Sequence, residues 1–121
     1  MMRQFLVRLI AIATALTPAS ARAHAFLDHA VPAVGSIVST APPELRLFFT
    51  QELEPSFSGL TLSGDDGRAI ATGAASVDPL NRAEMVLKLP PLAPGHYRVN
   101  WHVVSTDTHR TEGTFTFDIQ R

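Results

Sequence analysis

His96-Tyr97-Arg98-Val99-Asn100-Trp101-His102-Val103-Val104 alternates apolar and polar side chains over most of its length. In extended backbone that period puts Tyr97, Val99, Trp101 and Val103 on one face and His96, Arg98, Asn100 and His102 on the other. This is the pattern of a strand with one face buried. The same period runs through Phe115, Phe117 and Ile119 against Thr114, Thr116 and Asp118, and again through Met85, Leu87 and Leu89. Outward from these stretches, turn-forming residues recur at 32–35, 42–43, 64–67, 78–79, 90–91 and 94–95, which leaves little room for helices. The spacing predicts seven strands, over residues 25–31, 44–51, 57–63, 68–73, 84–89, 96–104 and 112–120. Such a chain is all-β, a single antiparallel β-sandwich.

The first residues follow a different logic. Arg3 and Arg8 precede an apolar run from Leu9 to Leu16, and the segment closes on Ala21-Arg22-Ala23. That is the layout of a secretory signal peptide over residues 1–23, with small residues positioned for cleavage between Ala23 and His24. A cut after Ala21 is the alternative. The apolar run falls well short of the roughly 20 residues that cross a bilayer, and no later stretch approaches that length, so the mature protein is expected to be soluble and not membrane-embedded. Cleavage would leave 98 residues, the size of one domain. No cysteine is present, which excludes disulfides and thiolate chemistry. The leader takes three of the ten basic residues and none of the eleven acids, leaving a mature charge of −4. That balance argues against nucleic acid as a partner.

All five histidines lie beyond the leader. Cleavage would make His24 the first residue and free its backbone amine. A terminal histidine chelates a metal through the α-amine and the imidazole Nδ1, two nitrogens of one residue that close a small ring at little ordering cost. The plain alternative is a loose chain end carrying an ordinary histidine. Asp107-Thr108-His109 follows the strand ending near Ser105, and residues two apart in extended backbone project to one side, so Asp107 and His109 can offer an oxygen and a nitrogen to the same ion, which a hairpin turn there would not forbid. Asp107 equally suits a turn, through hydrogen bonds to nearby N–H groups. If the amino terminus lies beside this loop, the set becomes amine, two imidazoles and a carboxylate. Nitrogen-rich, roughly planar coordination favours Cu(II), although zinc accepts the same donors. His29, His96 and His102 read as solvated surface residues, and Trp101, Tyr97 and the phenylalanines as core.

The run from Pro94 to His109, followed by Gly113-Thr114-Phe115-Thr116-Phe117, closely resembles the CopC family of periplasmic copper-resistance proteins. His24-Ala25-Phe26-Leu27, Pro32 to Gly35, Pro42 to Thr50 and Phe57-Ser58-Gly59 match that family in order and spacing. The resemblance implies a seven-stranded, Ig-like Greek-key β-sandwich or barrel occupying residues 24–121. It also implies a Cu(II) site made by His24, Asp107 and His109. Two departures narrow it: Gln51 stands where some members carry a glutamate next to the metal, with Glu52 expected on the opposite face, and the methionine-rich loop of members that bind Cu(I) has no counterpart around Met85.

The function expected from these residues is a non-enzymatic periplasmic carrier or buffer in copper homeostasis or resistance. It would be a monomer holding one Cu(II) ion per chain, with an inner-membrane copper transporter as the partner. Two other classes fit less of the sequence. A terminal histidine with a second histidine also makes the brace of copper monooxygenases, and a β-sandwich can act as a metal-free interaction module.

Overall fold

The structure is a computed structural model that describes residues 24–121. The expected signal peptide, residues 1–23, and its cleavage lie outside the described residues. The strands are β1 (Leu27–Val31), β2 (Ile37–Val38), β3 (Glu44–Phe49), β4 (Gly59–Ser63), β5 (Ser76–Asp78), β6 (Asn81–Lys88), β7 (Gly95–Val104) and β8 (Arg110–Ile119), with a 3-10 turn at Pro55–Phe57. They form two four-stranded sheets, ordered β1-β3-β6-β5 and β2-β8-β7-β4. The chain passes from β3 to β4, back from β4 to β5 and across again from β6 to β7, changing sheet each time, so the β-sandwich expected from the alternating segments is the fold observed. Among the described residues no helix is long and apolar enough to cross a membrane.

The longest ladder pairs all ten residues of β7 with all ten of β8, from Gly95 opposite Ile119 to Val104 opposite Arg110. Its inward face supplies Tyr97, Val99, Trp101, Val103, Phe115, Phe117 and Ile119 to the core. The facing sheet answers with Leu45, Leu47 and Phe49 of β3 and Met85 and Leu87 of β6. Both sets alternate as the sequence predicts because each sheet has one wet face. On the outer side of the β3–β6 pair the carboxylate of Glu84 is nonetheless buried. Arg46 reaches it at 2.5 Å and Glu44 at 2.7 Å. Bonding first to Glu84 and then to Glu44 pushes the guanidinium's pKa up, which keeps the buried acid paired.

Two expectations are corrected. Residues 68–73 form no strand; their backbone pairing with β4 and the turn after it is limited to the Ser63–Ala69 bridge, the bond from Ile70 N–H to the Leu62 carbonyl and the bond from Gly64 N–H to the Arg68 carbonyl. Ala69, Ala71 and Gly73 offer little side chain to a sheet. The chain instead pairs later, at β5, where Asp78 and Asn81 accept the N–H groups of Leu80 and Ala83 and close a tight turn into β6. The sandwich also has an eighth strand and is not wholly antiparallel: β2 runs parallel to β8, through Ile37 with Asp118 and Val38 with Ile119. Two residues are too few to show a period.

Gly113 lies opposite Trp101 in the β7–β8 ladder, and a Cβ there would stand 2.5 Å from the indole Cζ2. The indole in turn meets Phe49 edge-on, with centroids 5.2 Å apart at 71°. Gly113→Ala should therefore displace the indole and destabilise the domain by about 1–3 kcal/mol, measured by chemical denaturation. At the other end of the ladder, Asp118 Oδ1 lies 2.7 Å from His96 Nδ1 and holds that imidazole's pKa above its ordinary value, with Asp65 adding to the shift and Arg121 opposing it. The pair therefore stabilises the fold below about pH 6.5 and loses that contribution as pH rises through the raised value. Proton NMR of Asp118→Asn should show His96 titrating lower than in the parent protein.

Candidate metal centre

The end of the β7–β8 ladder determines where Asp107 and His109 sit. The chain turns back in three residues, with Thr108 N–H bonded to the Ser105 carbonyl at 2.8 Å and Ser105 N–H to the His109 carbonyl at 3.0 Å. Thr108 closes this loop at φ = 72°, a left-handed conformation that β-branched residues rarely adopt and that the compact hairpin demands. Asp107 and His109 thus lie on a tight hairpin turn, the alternative to extended backbone that the sequence leaves open. Their side chains still converge, with Nδ1 of His109 3.4 Å from Oδ1 of Asp107.

The loop is anchored by the segment that follows β3. Leu53 bridges to Ser105, Glu54 N–H bonds to the Val104 carbonyl, and Thr106 N–H bonds to the carbonyl of Glu52. Glu52 is exposed and engages the loop by its main chain, while Gln51 is half-buried beside it. Ser105 was not singled out by its sequence, yet its hydroxyl donates to Asp107 Oδ1 and also reaches the His109 carbonyl at 3.3 Å. That hydroxyl is the main reason the Asp107 carboxyl is held below its ordinary pKa, with His109 helping and partial desolvation opposing. The aspartate is therefore an anion at neutral pH, ready to face a cation.

His24 arrives at this loop from the chain's beginning. Its ring meets that of His109 edge-on, centroids 4.7 Å apart at 64°, and lies 6.1 Å from Phe26. Ala25 is fully buried. Its carbonyl accepts the Thr111 hydroxyl at 2.6 Å, and Phe26 exchanges two bonds with Thr50, N–H to Oγ1 and carbonyl to N–H, each at 2.9 Å. Thr50 and Thr111 are hydrogen-bonding neighbours of the candidate site that the sequence does not mark, because a threonine at a strand end carries no signal of a partner far along the chain. Among the described residues no three His, Cys, Asp or Glu side chains close on one point tightly enough to hold an ion. Of the three residues predicted to share a metal, His24 lies against His109 and His109 against Asp107, and the remaining donor in that scheme is the His24 amine, a main-chain group.

The other histidines stand apart from this cluster. His29 stacks on Phe48, with centroids 4.2 Å apart at 6°, and bonds to Asp28 at 2.6 Å. His96 pairs with Asp118, and His102 covers Gly59. Removing the Ser105 hydroxyl tests the local electrostatics. In Ser105→Ala the Asp107 carboxyl should titrate at higher pH than in the parent protein, read from its carboxyl carbon by NMR.

Comparison with known proteins identifies the family. Residues 27–120 match the family described as the CopC domain. The chain is 36% identical over 110 residues to protein YobA of Escherichia coli K12, covering 90% of this chain and 89% of that protein. It is 35% identical over 126 residues to copper resistance protein C of Xanthomonas campestris pv. juglandis, covering 98% and 97%. The crystal structure of CopC from Methylosinus trichosporium OB3b superposes with a TM-score of 0.76 at 30% identity, over 80% of this chain and 94% of that one. The chain belongs to the CopC domain family.

Proposed function

We propose that this protein, exported and cleaved to begin at His24, is a periplasmic Cu(II) carrier or buffer in copper homeostasis. The mature domain of residues 24–121 binds one ion and hands it to an inner-membrane copper transporter. His24 supplies its α-amine and imidazole, His109 a second imidazole and Asp107 a carboxylate oxygen, and no catalytic step is involved. The observation that carries this reading is the approach of the His24 and His109 rings to 4.7 Å, with the Asp107 carboxylate 3.4 Å from His109. With metal–nitrogen bonds of about 2.0–2.1 Å, two imidazoles on one ion have centroids roughly 4.5–6 Å apart, a range that includes the observed separation.

Donor chemistry supports the oxidation state. Two imidazoles, an amine and an ionised carboxylate suit Cu(II), whereas Cu(I) prefers thioether or thiolate. The one methionine among the described residues, Met85, is buried in the core on β6. The relatives named copper resistance protein C support the same cargo. Binding must displace protons from amine and imidazole nitrogens, so it weakens on acidification.

Cu(II) competition titration of two forms tests the proposal, one beginning at His24 and one with a single alanine added before it. The added residue converts the amine to an amide, and affinity should fall at least about 100-fold. The free form should also bind far more weakly at pH 5 than at pH 7.5. Equal affinities for the two forms would overturn the site.

A further inference from the structure

The Ala25–Phe26 peptide unit is held from both sides by threonine hydroxyls. Its carbonyl accepts Thr111 Oγ1 at 2.6 Å and its N–H donates to Thr50 Oγ1 at 2.9 Å. Thr111 belongs to β8 and Thr50 follows β3, so these two bonds tie one planar group to both sheets of the sandwich. The same peptide is flanked by the fully buried Ala25 side chain and by a second bond, from Thr50 N–H to the Phe26 carbonyl at 2.9 Å.

A trans peptide is rigid, so holding its two polar ends fixes a plane. Between that plane and the His24 amine only the Ala25 torsions and the His24 ψ remain free. Chain ends ordinarily lose considerable conformational entropy when a ligand orders them. Here that cost is met in the metal-free fold. Thr111 also lies two residues from His109, so the strand start that carries one imidazole carries the peg for the other.

We infer that Thr50 and Thr111 are positioning residues for Cu(II) binding, which preorganise the amino-terminal chelate by clamping the Ala25–Phe26 peptide between the two sheets. This rests on the copper site proposed above. Neither threonine touches the ion. Each acts through the torsions of His24, and so each should alter copper affinity only when the His24 amine is available.

That dependence gives the test. Thr111→Val and Thr50→Val, in the form beginning at His24, should each weaken Cu(II) binding by about threefold to tenfold in competition titration, the worth of one hydrogen bond. Thr111→Ser, which keeps the hydroxyl, should return to within about twofold of the parent protein. Repeated with alanine added before His24, Thr111→Val should have no further effect. A threonine acting only through general stability would lower the melting temperature equally in both forms and leave affinity unchanged while the protein is folded. Parent-like affinity of both valine variants, measured well below their melting temperatures, would overturn the inference. So would an equal loss for Thr111→Val in the alanine-extended form. If instead the added alanine leaves the parent's affinity unchanged, the copper site itself fails, and the two failures are distinguishable.

Discussion

The ten-residue ladder between β7 and β8 is the constraint on which the rest of the molecule depends. Its alternation commits one face to the core, where Trp101, Phe115 and Phe117 meet the leucines of the opposing sheet. A one-residue slip would turn every one of those side chains into water, so the register is strongly enforced. The loop that joins the two strands inherits that precision. Because Val104 and Arg110 must pair, only five residues remain to reverse the chain, and Asp107 and His109 are carried on that short reversal.

The second requirement is to bring the start of the chain to the same place. β1 pairs with β3, and β3 lies in the sheet opposite β8, so the residues before β1 emerge at the end of the sandwich where both sheets are accessible. Residues 24–26 occupy that end, with Thr50 on one side and Thr111 on the other. The site is thus distributed over three segments far apart in sequence. Its rigidity comes from main-chain and hydroxyl hydrogen bonds, while the imidazoles remain half-buried or exposed and open to a ligand.

Much of the fold was legible in the sequence where strands are long and one face is dry. β3, β6, β7 and β8 show their alternation over six to ten residues. β2 and β5 were not legible, because two or three residues carry no period and the alanine-rich stretch before β5 has little side chain to pack. The candidate site divides in the same way. His24, Asp107 and His109 are recognisable by their chemistry and position, but Ser105, Thr50 and Thr111 act through hydrogen bonds that only the folded chain creates. The Thr111 bond to Ala25 spans 86 residues, a separation at which no local pattern survives.

In the site we propose, one Cu(II) ion is held jointly by the amino-terminal residue and the β7–β8 loop. Pulsed electron paramagnetic resonance of the copper-loaded protein beginning at His24 tests it most directly by counting the coordinated nitrogens. Two coordinated imidazoles are expected, with one lost in His109→Ala and the other in His24→Ala. A spectrum with a single imidazole, or one unchanged by either substitution, would contradict it.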